Sequence, residues 1–325
     1  TTSTVRAGLM DAPPLFHVEG GPPLPEGTAE WLTSRAGRRL RVARFAPQGA
    51  ARGSVVLSTG RTEPLEKYGE VAVDLVARGF VVLLHDWAGQ GLSDRFSDDR
   101  LRGDIVGGAS SLVSDYTEIL NTFAERLPQP WLACGHSMGA ALTSLALVDG
   151  EARFAGAVLC APMIEFSVGT LPFWLIRQVV LGMSRVRHTG LARKQLAPLS
   201  VRFEDNVLTH DRGRYERSAA LYRAHPELQL GEPTWRWLAF AVELRDRLTR
   251  PGAAERIACP VAVVAAGDDR VVSTEASRRF VERVPRGSFV EVRGAFHEIL
   301  MERDEQRAEF FRAFDRVAAD VAGAG

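Results

Sequence analysis

Residues 131–148 read as strand, turn and helix in direct succession: Trp131-Leu132-Ala133-Cys134, then Gly135-His136-Ser137-Met138-Gly139, then a helix opening on Ala140-Ala141-Leu142. The turn fits G-x-S-x-G, and its setting matters more than its five letters. A serine on a sharp strand-to-helix turn is forced into a strained backbone conformation, and the flanking glycines leave room for crowded main chain. The helix N-terminus behind it supplies partial positive charge, and the Met138 amide points toward an oxyanion that would develop at the serine.

The rest of the chain supplies a matching architecture. Strand-like runs occur at Leu40–Phe45, Ser54–Thr59, Phe80–His85, Trp131–Gly135, Ala157–Cys160, Val261–Ala266 and Ser288–Val292. Several are continuous Val/Leu/Ala runs, as expected of strands buried on both faces of a parallel sheet. Helical segments alternate with them: Pro64–Arg78, Ser110–Leu127, Ser137–Val148, Ser273–Val284 and Asp304–Val321. This alternation predicts an α/β fold with a mostly parallel central sheet and helices on both faces.

One interval breaks the rhythm. From 164 to 250 no strand is evident, helical stretches dominate, and 14 Lys and Arg face 9 Asp and Glu. The interval also holds the apolar stretch Leu171–Ile176 and Val179–Leu181. It is expected to be an inserted helical cap. Residues 1–163 and 251–325 then form the core, with 1–28, rich in Pro and Gly, as an irregular lead-in.

Composition narrows the function. Forty Lys and Arg balance forty Asp and Glu, so no overall field attracts nucleic acid. Three cysteines without a CxxC or CxxH pair read as free thiols and support neither a disulfide framework nor a zinc site. No histidine has a partner at metal-ligand spacing, so no metal or cofactor is expected. No window approaches the roughly 20 apolar residues that span a bilayer, and the first residues lack a signal-peptide core. A cytoplasmic protein is expected, with room for peripheral contact at a membrane surface.

A serine hydroxyl needs a base, and the base needs a third group to orient it. After a nucleophile elbow the chain order runs serine, acid, histidine. Val261–Ala266 leads into Gly267-Asp268-Asp269-Arg270-Val271-Val272, and Ser288–Val292 leads into Gly294-Ala295-Phe296-His297-Glu298. The candidates are therefore Ser137, His297 and an acid at Asp269 or Asp268. Asp269 is favoured because it directly precedes Arg-Val-Val. The run Ser54–Thr59 ends in Gly60-Arg61-Thr62-Glu63, so the Arg61 amide is the candidate second oxyanion donor beside that of Met138. Asp86 in the loop Asp86–Asp94 reads as a structural acceptor, and His136 as a shape-determining neighbour of the serine. His17, His188, His210 and His225 read as surface residues.

These residues resemble the α/β-hydrolase superfamily, and within it the lysophospholipase and monoacylglycerol lipase group. The stretches Gly60–Glu63 with Glu66-Lys67-Tyr68, Asp86–Arg95, Thr209-His210-Asp211, His225–Leu228, Pro233-Thr234-Trp235 and Phe296–Glu298 are closest to bacterial lysophospholipases. The resemblance implies Ser137, Asp269 and His297 as triad and the Arg61 and Met138 amides as oxyanion hole. Two departures stand out: Ala88 where the family pattern has Arg, and Ala140 where a further Gly is common.

The expected activity is hydrolysis of a carboxylic ester in a single-chain lipid, such as a lysophospholipid or monoacylglycerol, with the cap touching a membrane surface. A different acyl substrate (esterase, thioesterase, peptidase or acyltransferase) is one rival. A non-catalytic ligand-binding module is another.

Overall fold

The computed structural model describes residues 12–166, 173–186 and 201–323. The first eleven residues of the expected lead-in, Leu171 and Pro172 of the apolar stretch, and His188 lie outside the described residues.

Among the described residues, eight strands form one sheet: β1 (Gly27–Thr33), β2 (Arg39–Phe45), β3 (Gly53–Ser58), β4 (Phe80–His85), β5 (Trp131–His136), β6 (Phe154–Cys160), β7 (Val261–Ala266) and β8 (Gly287–Val292). Their order across the sheet is β1-β2-β4-β3-β5-β6-β7-β8. β1 and β2 pair antiparallel with each other, β2 pairs antiparallel with β4, and every other pairing is parallel. The mostly parallel α/β sheet expected from the sequence is the one observed.

The continuous apolar runs have a direct cause. Along β7, Val261, Val263 and Ala265 join the cluster that includes α3 (Ser137–Val148) and α7 (Thr274–Val281), while Ala262, Val264 and Ala266 pack on α8 (Asp304–Gly323) in the cluster that also takes in α1 (Gly69–Ala77). Both faces are covered, so neither tolerates polar alternation. Phe310 and Phe314 of α8 are fully buried there, and each contributes about 1.5–3 kcal/mol relative to exposure. Cys134 and Cys160 are buried free thiols in the same layer.

β1 is an addition to the seven runs the sequence points to. It forms an edge hairpin with β2, from Gly27 opposite Phe45 to Thr33 opposite Arg39. Its exposed edge leaves Gly-Thr-Ala-Glu-Trp-Leu-Thr with too little apolar content to announce a strand. The strand begins inside the segment expected to be irregular, so that segment ends by Glu26.

Between β6 and β7 stand α4 (Phe173–Val186), α5 (Arg212–Ala224) and α6 (Trp235–Leu248). Thr234 caps α6 by accepting the Trp237 amide, and Asp211 caps α5 by accepting that of Arg214. α6 buries Trp237, Phe240, Ala241, Leu244 and Leu248 in the apolar cluster of α3 and α2 (Gly108–Thr122), and α4 lies on α6.

The direction of winding reverses at β3, with β4 on one side and β5 on the other. In open α/β sheets, ligands bind beyond the carboxyl ends of the strands at such a switch point. The segments after β3, β5, β7 and β8 all emerge at that edge.

Candidate active site

Ser137 occupies the first position of α3 with φ of 50°, in the left-handed region that a side chain rarely adopts. The crowding behind it is visible in its glycines. A Cβ at Gly139 would sit 2.3 Å from the Thr59 carbonyl oxygen, and one at Gly135 would sit 2.8 Å from the Ala140 nitrogen. The motif is thus a packing requirement of β5, β3 and α3 meeting at one point.

His297 Nε2 lies 3.0 Å from Ser137 Oγ, and His297 Nδ1 lies 2.8 Å from Asp269 Oδ2. Asp269 can only accept here, so Nδ1–H donates to it and Nε2 is free to accept the serine proton. The other Asp269 oxygen accepts the amides of Val271 and Val272 at 2.8 and 2.9 Å. Burial works against the charge on Asp269, but His297 and these amides outweigh it and hold the carboxyl below its ordinary range. Asp268 is exposed, and its backbone N–H donates to the Ala295 carbonyl, which joins the two loops. Of the two candidate acids, the structure brings only Asp269 against the imidazole.

Met138 follows Ser137 in the first turn of α3, where helix amides have no intrahelical acceptor. Arg61 follows β3, and its neighbour Thr62 has a φ of 68°. The turn is held from below by the 86–94 loop: Trp87 Nε1 donates to Thr59 O at 2.8 Å, and Gln90 Nε2 donates to Gly60 O at 2.7 Å. Asp86 organises that loop by accepting the Leu65 and Leu92 amides and the Arg41 guanidinium. Ala88 is buried in the apolar cluster on the α2 side of the sheet.

The Arg61 side chain has a role that spacing did not reveal. It donates to the Gly231 carbonyl at 2.5 Å and lies over the Trp237 ring at 5.1 Å, tying the loop after β3 to the segment that leads into α6. Burial, opposed by Glu232, lowers its pKa to about 10. His210 and His225 also differ from expectation. His210 bonds Glu302 at 2.8 Å and stacks on Phe296, while His225 stacks on Phe16. The segment carrying His210 is thereby fastened to the loop carrying His297.

Sequence reasoning passed over a buried cluster beneath the site: Glu63, Lys67, Tyr68, His136 and Glu298. The i,i+4 spacing of Glu63 and Lys67 was an available signal. Beside it lies a cavity of about 570 Å³, bounded in part by Thr62, Lys67, Leu208, Tyr222, Glu298 and Met301. It reaches both the loop after β3, at Thr62, and the loop after β8, at Glu298, and its volume suits a small-molecule ligand.

Comparison with known proteins gives consistent results. The family model described as serine aminopeptidase, S33, matches residues 49–304. Lysophospholipase L2 of Escherichia coli K12 is 33% identical over 287 residues, covering 83% of this chain and 81% of that protein. Monoglyceride lipase of Rattus norvegicus is 29% identical over 134 residues, covering 41% of this chain and 42% of that protein. A soluble variant of monoglyceride lipase from Saccharomyces cerevisiae, solved with a substrate analog, superposes with a TM-score of 0.70 at 18% identity, covering 93% of this chain and 98% of that one.

Proposed function

This chain belongs to the α/β-hydrolase family described as serine aminopeptidase, S33, in its lysophospholipase and monoglyceride lipase group, and on that premise we propose that it hydrolyses the carboxylic ester of a single-chain lipid through an acyl-enzyme. The observation that carries the reading is the unbroken hydrogen-bond chain from Asp269 through His297 to Ser137. His297 takes the Ser137 proton as Oγ attacks the ester carbonyl. The amides of Met138 and Arg61 receive the oxyanion, and Asp269 stabilises the imidazolium that forms. The alcohol leaves with the proton from His297. Water then repeats the cycle on the acyl group and restores the serine.

Lysophospholipid is the favoured substrate, because the relative that matches most of this chain at 33% identity carries that activity in its name. The cap, residues 164–250, is proposed to meet the lipid surface through α4. Trp174, Leu175, Val179 and Val186 stand exposed on that helix, which carries Arg177 and Arg185 and no acidic residue. None of the described helices is long and apolar enough to cross a membrane.

The test is release of fatty acid by the purified protein and by Ser137→Ala from lysophosphatidylcholine, a monoacylglycerol and short-chain aryl esters. Preference for the lysophospholipid, with a loss of about 10⁴-fold or more in the variant, is expected. Turnover of short esters alone would remove the lipid assignment and keep the triad. Equal rates for variant and wild type would remove both.

A further inference from the structure

His136 precedes the proposed nucleophile and is 2% exposed, and both of its ring nitrogens face acceptors. Nδ1 lies 3.1 Å from Glu63 Oε2, and Nε2 lies 3.2 Å from the backbone carbonyl oxygen of His297. A carbonyl oxygen can only accept, so Nε2 must carry a proton. Glu63 Oε2 also receives the Gly60 amide and the Tyr68 hydroxyl, and Oε1 receives the Lys67 ammonium. An oxygen so surrounded by donors is a carboxylate, so Nδ1 must carry a proton as well.

We infer that His136 is held as an imidazolium and serves as a positioning residue, clamping the His297 backbone to the Glu63 carboxylate. The inference rests on the triad reading above. Charge counting supports it independently. Lys67 bonds both Glu63 and Glu298, so the buried cluster holds two carboxylates and one ammonium. A charged His136 brings that cluster to neutrality, whereas a neutral one leaves it with a net negative charge shared over one ammonium.

Every element packed around the ring contributes to this balance. Glu63 comes from the oxyanion loop, Lys67 and Tyr68 from the turn that follows it, and Glu298 and the His297 ring, 4.8 Å away, from the loop after β8. Cys160 of β6 stays a neutral thiol because burial pushes its pKa up. Burial and Lys67 oppose the charge on His136, while Glu63 and Glu298 outweigh them and raise its pKa.

One carboxylate therefore ties together three segments that must stay in register: Gly60, which precedes the Arg61 amide; His136, which precedes Ser137; and, through His136, the main chain of His297. Displacements of about 1 Å at such a site cost on the order of 10²-fold in rate.

The decisive measurement is nitrogen NMR of the full chain labelled at its histidine rings, with His136→Gln used to assign the signal. Both His136 nitrogens are expected to stay protonated through the range, about pH 5 to 8, in which an ordinary imidazole loses its charge. A deprotonated Nδ1 or Nε2 in that range would overturn the inference whatever the state of the triad. In kinetics, His136→Gln is expected to lower kcat by about 10–100-fold with KM within about twofold, while fluorophosphonate labelling of Ser137 persists. Wild-type kcat and pH profile in that variant would also overturn it. Loss of labelling only in Ser137→Ala keeps the triad reading separate from this one.

The same charge has a thermodynamic signature. A pKa raised by folding stabilises the native state fully below the unfolded value of about 6.5, and this stabilisation is lost as pH rises through the folded value. The gap in urea midpoint between wild type and His136→Gln should therefore narrow with rising pH. A constant gap would contradict a charged His136.

Discussion

α4 and α6 are 14 residues each, both come from the interval between β6 and β7, and they meet the rest of the protein in opposite ways. α6 turns Trp237, Phe240, Leu244 and Leu248 into the main core, so its apolar face is covered by α2 and α3. α4 rests on α6 and buries Val180, while Trp174 is 67% exposed and Val179 49%. The two sequences are similarly rich in Trp, Leu and Val, so apolar content does not separate them. What separates them is whether a partner exists for the apolar face. A helix whose face is consumed by the core serves stability, and one whose face is left over is available to a substrate phase.

Three substitutions sharpen that contrast, in descending order of effect on stability. Phe240→Ala on α6 should lower unfolding free energy by about 3–5 kcal/mol, because the ring is 2% exposed and its loss leaves a cavity. Urea denaturation checks this, and a shift below about 1 kcal/mol would mean that α6 is not part of the core. Thr234→Ala should cost about 1 kcal/mol by leaving the Trp237 amide without its cap. Trp174→Ser on α4 should change stability by less than about 0.5 kcal/mol. It should instead weaken cosedimentation with anionic lipid vesicles and reduce turnover of a vesicle-borne ester, leaving a soluble aryl ester unaffected. Unchanged vesicle binding would break the comparison, since the exposed face would then have no measurable use.

The buried cluster and the triad teach a related lesson about what can be read in a chain. The candidates Ser137 and Asp269 were legible because each follows a strand buried along its whole length, and His297 because it follows the last strand in the expected chain order. The choice of Asp269 over Asp268 came from its neighbours Arg-Val-Val, and the structure gives the reason: those valine amides turn back onto its carboxylate. The burial of Glu63, Lys67 and Glu298 was not read because charged residues in loops ordinarily face water, and the i,i+4 spacing of Glu63 and Lys67 signals a pair without saying that it is buried. Residues 63 and 298 meet only after the ends of β3 and β8 arrive at one edge of the sheet. β1 went unread for a different reason. An edge strand has one neighbour, so much of its pairing information lies in β2 rather than in its own side chains.

The sequence by itself determined the class of fold, the elbow that bears Ser137, and the order in which acid and histidine follow. Each of these depends on periodicity and on turn chemistry, which are local properties of a chain. The tertiary structure alone decided that the Arg61 side chain fastens the loop after β3 to the residues entering α6. It alone decided that α6 is core while α4 is surface, and that His136 sits between two acceptors. Those outcomes depend on which distant groups exclude water from one another, and burial is a property of the assembled fold that no single segment carries.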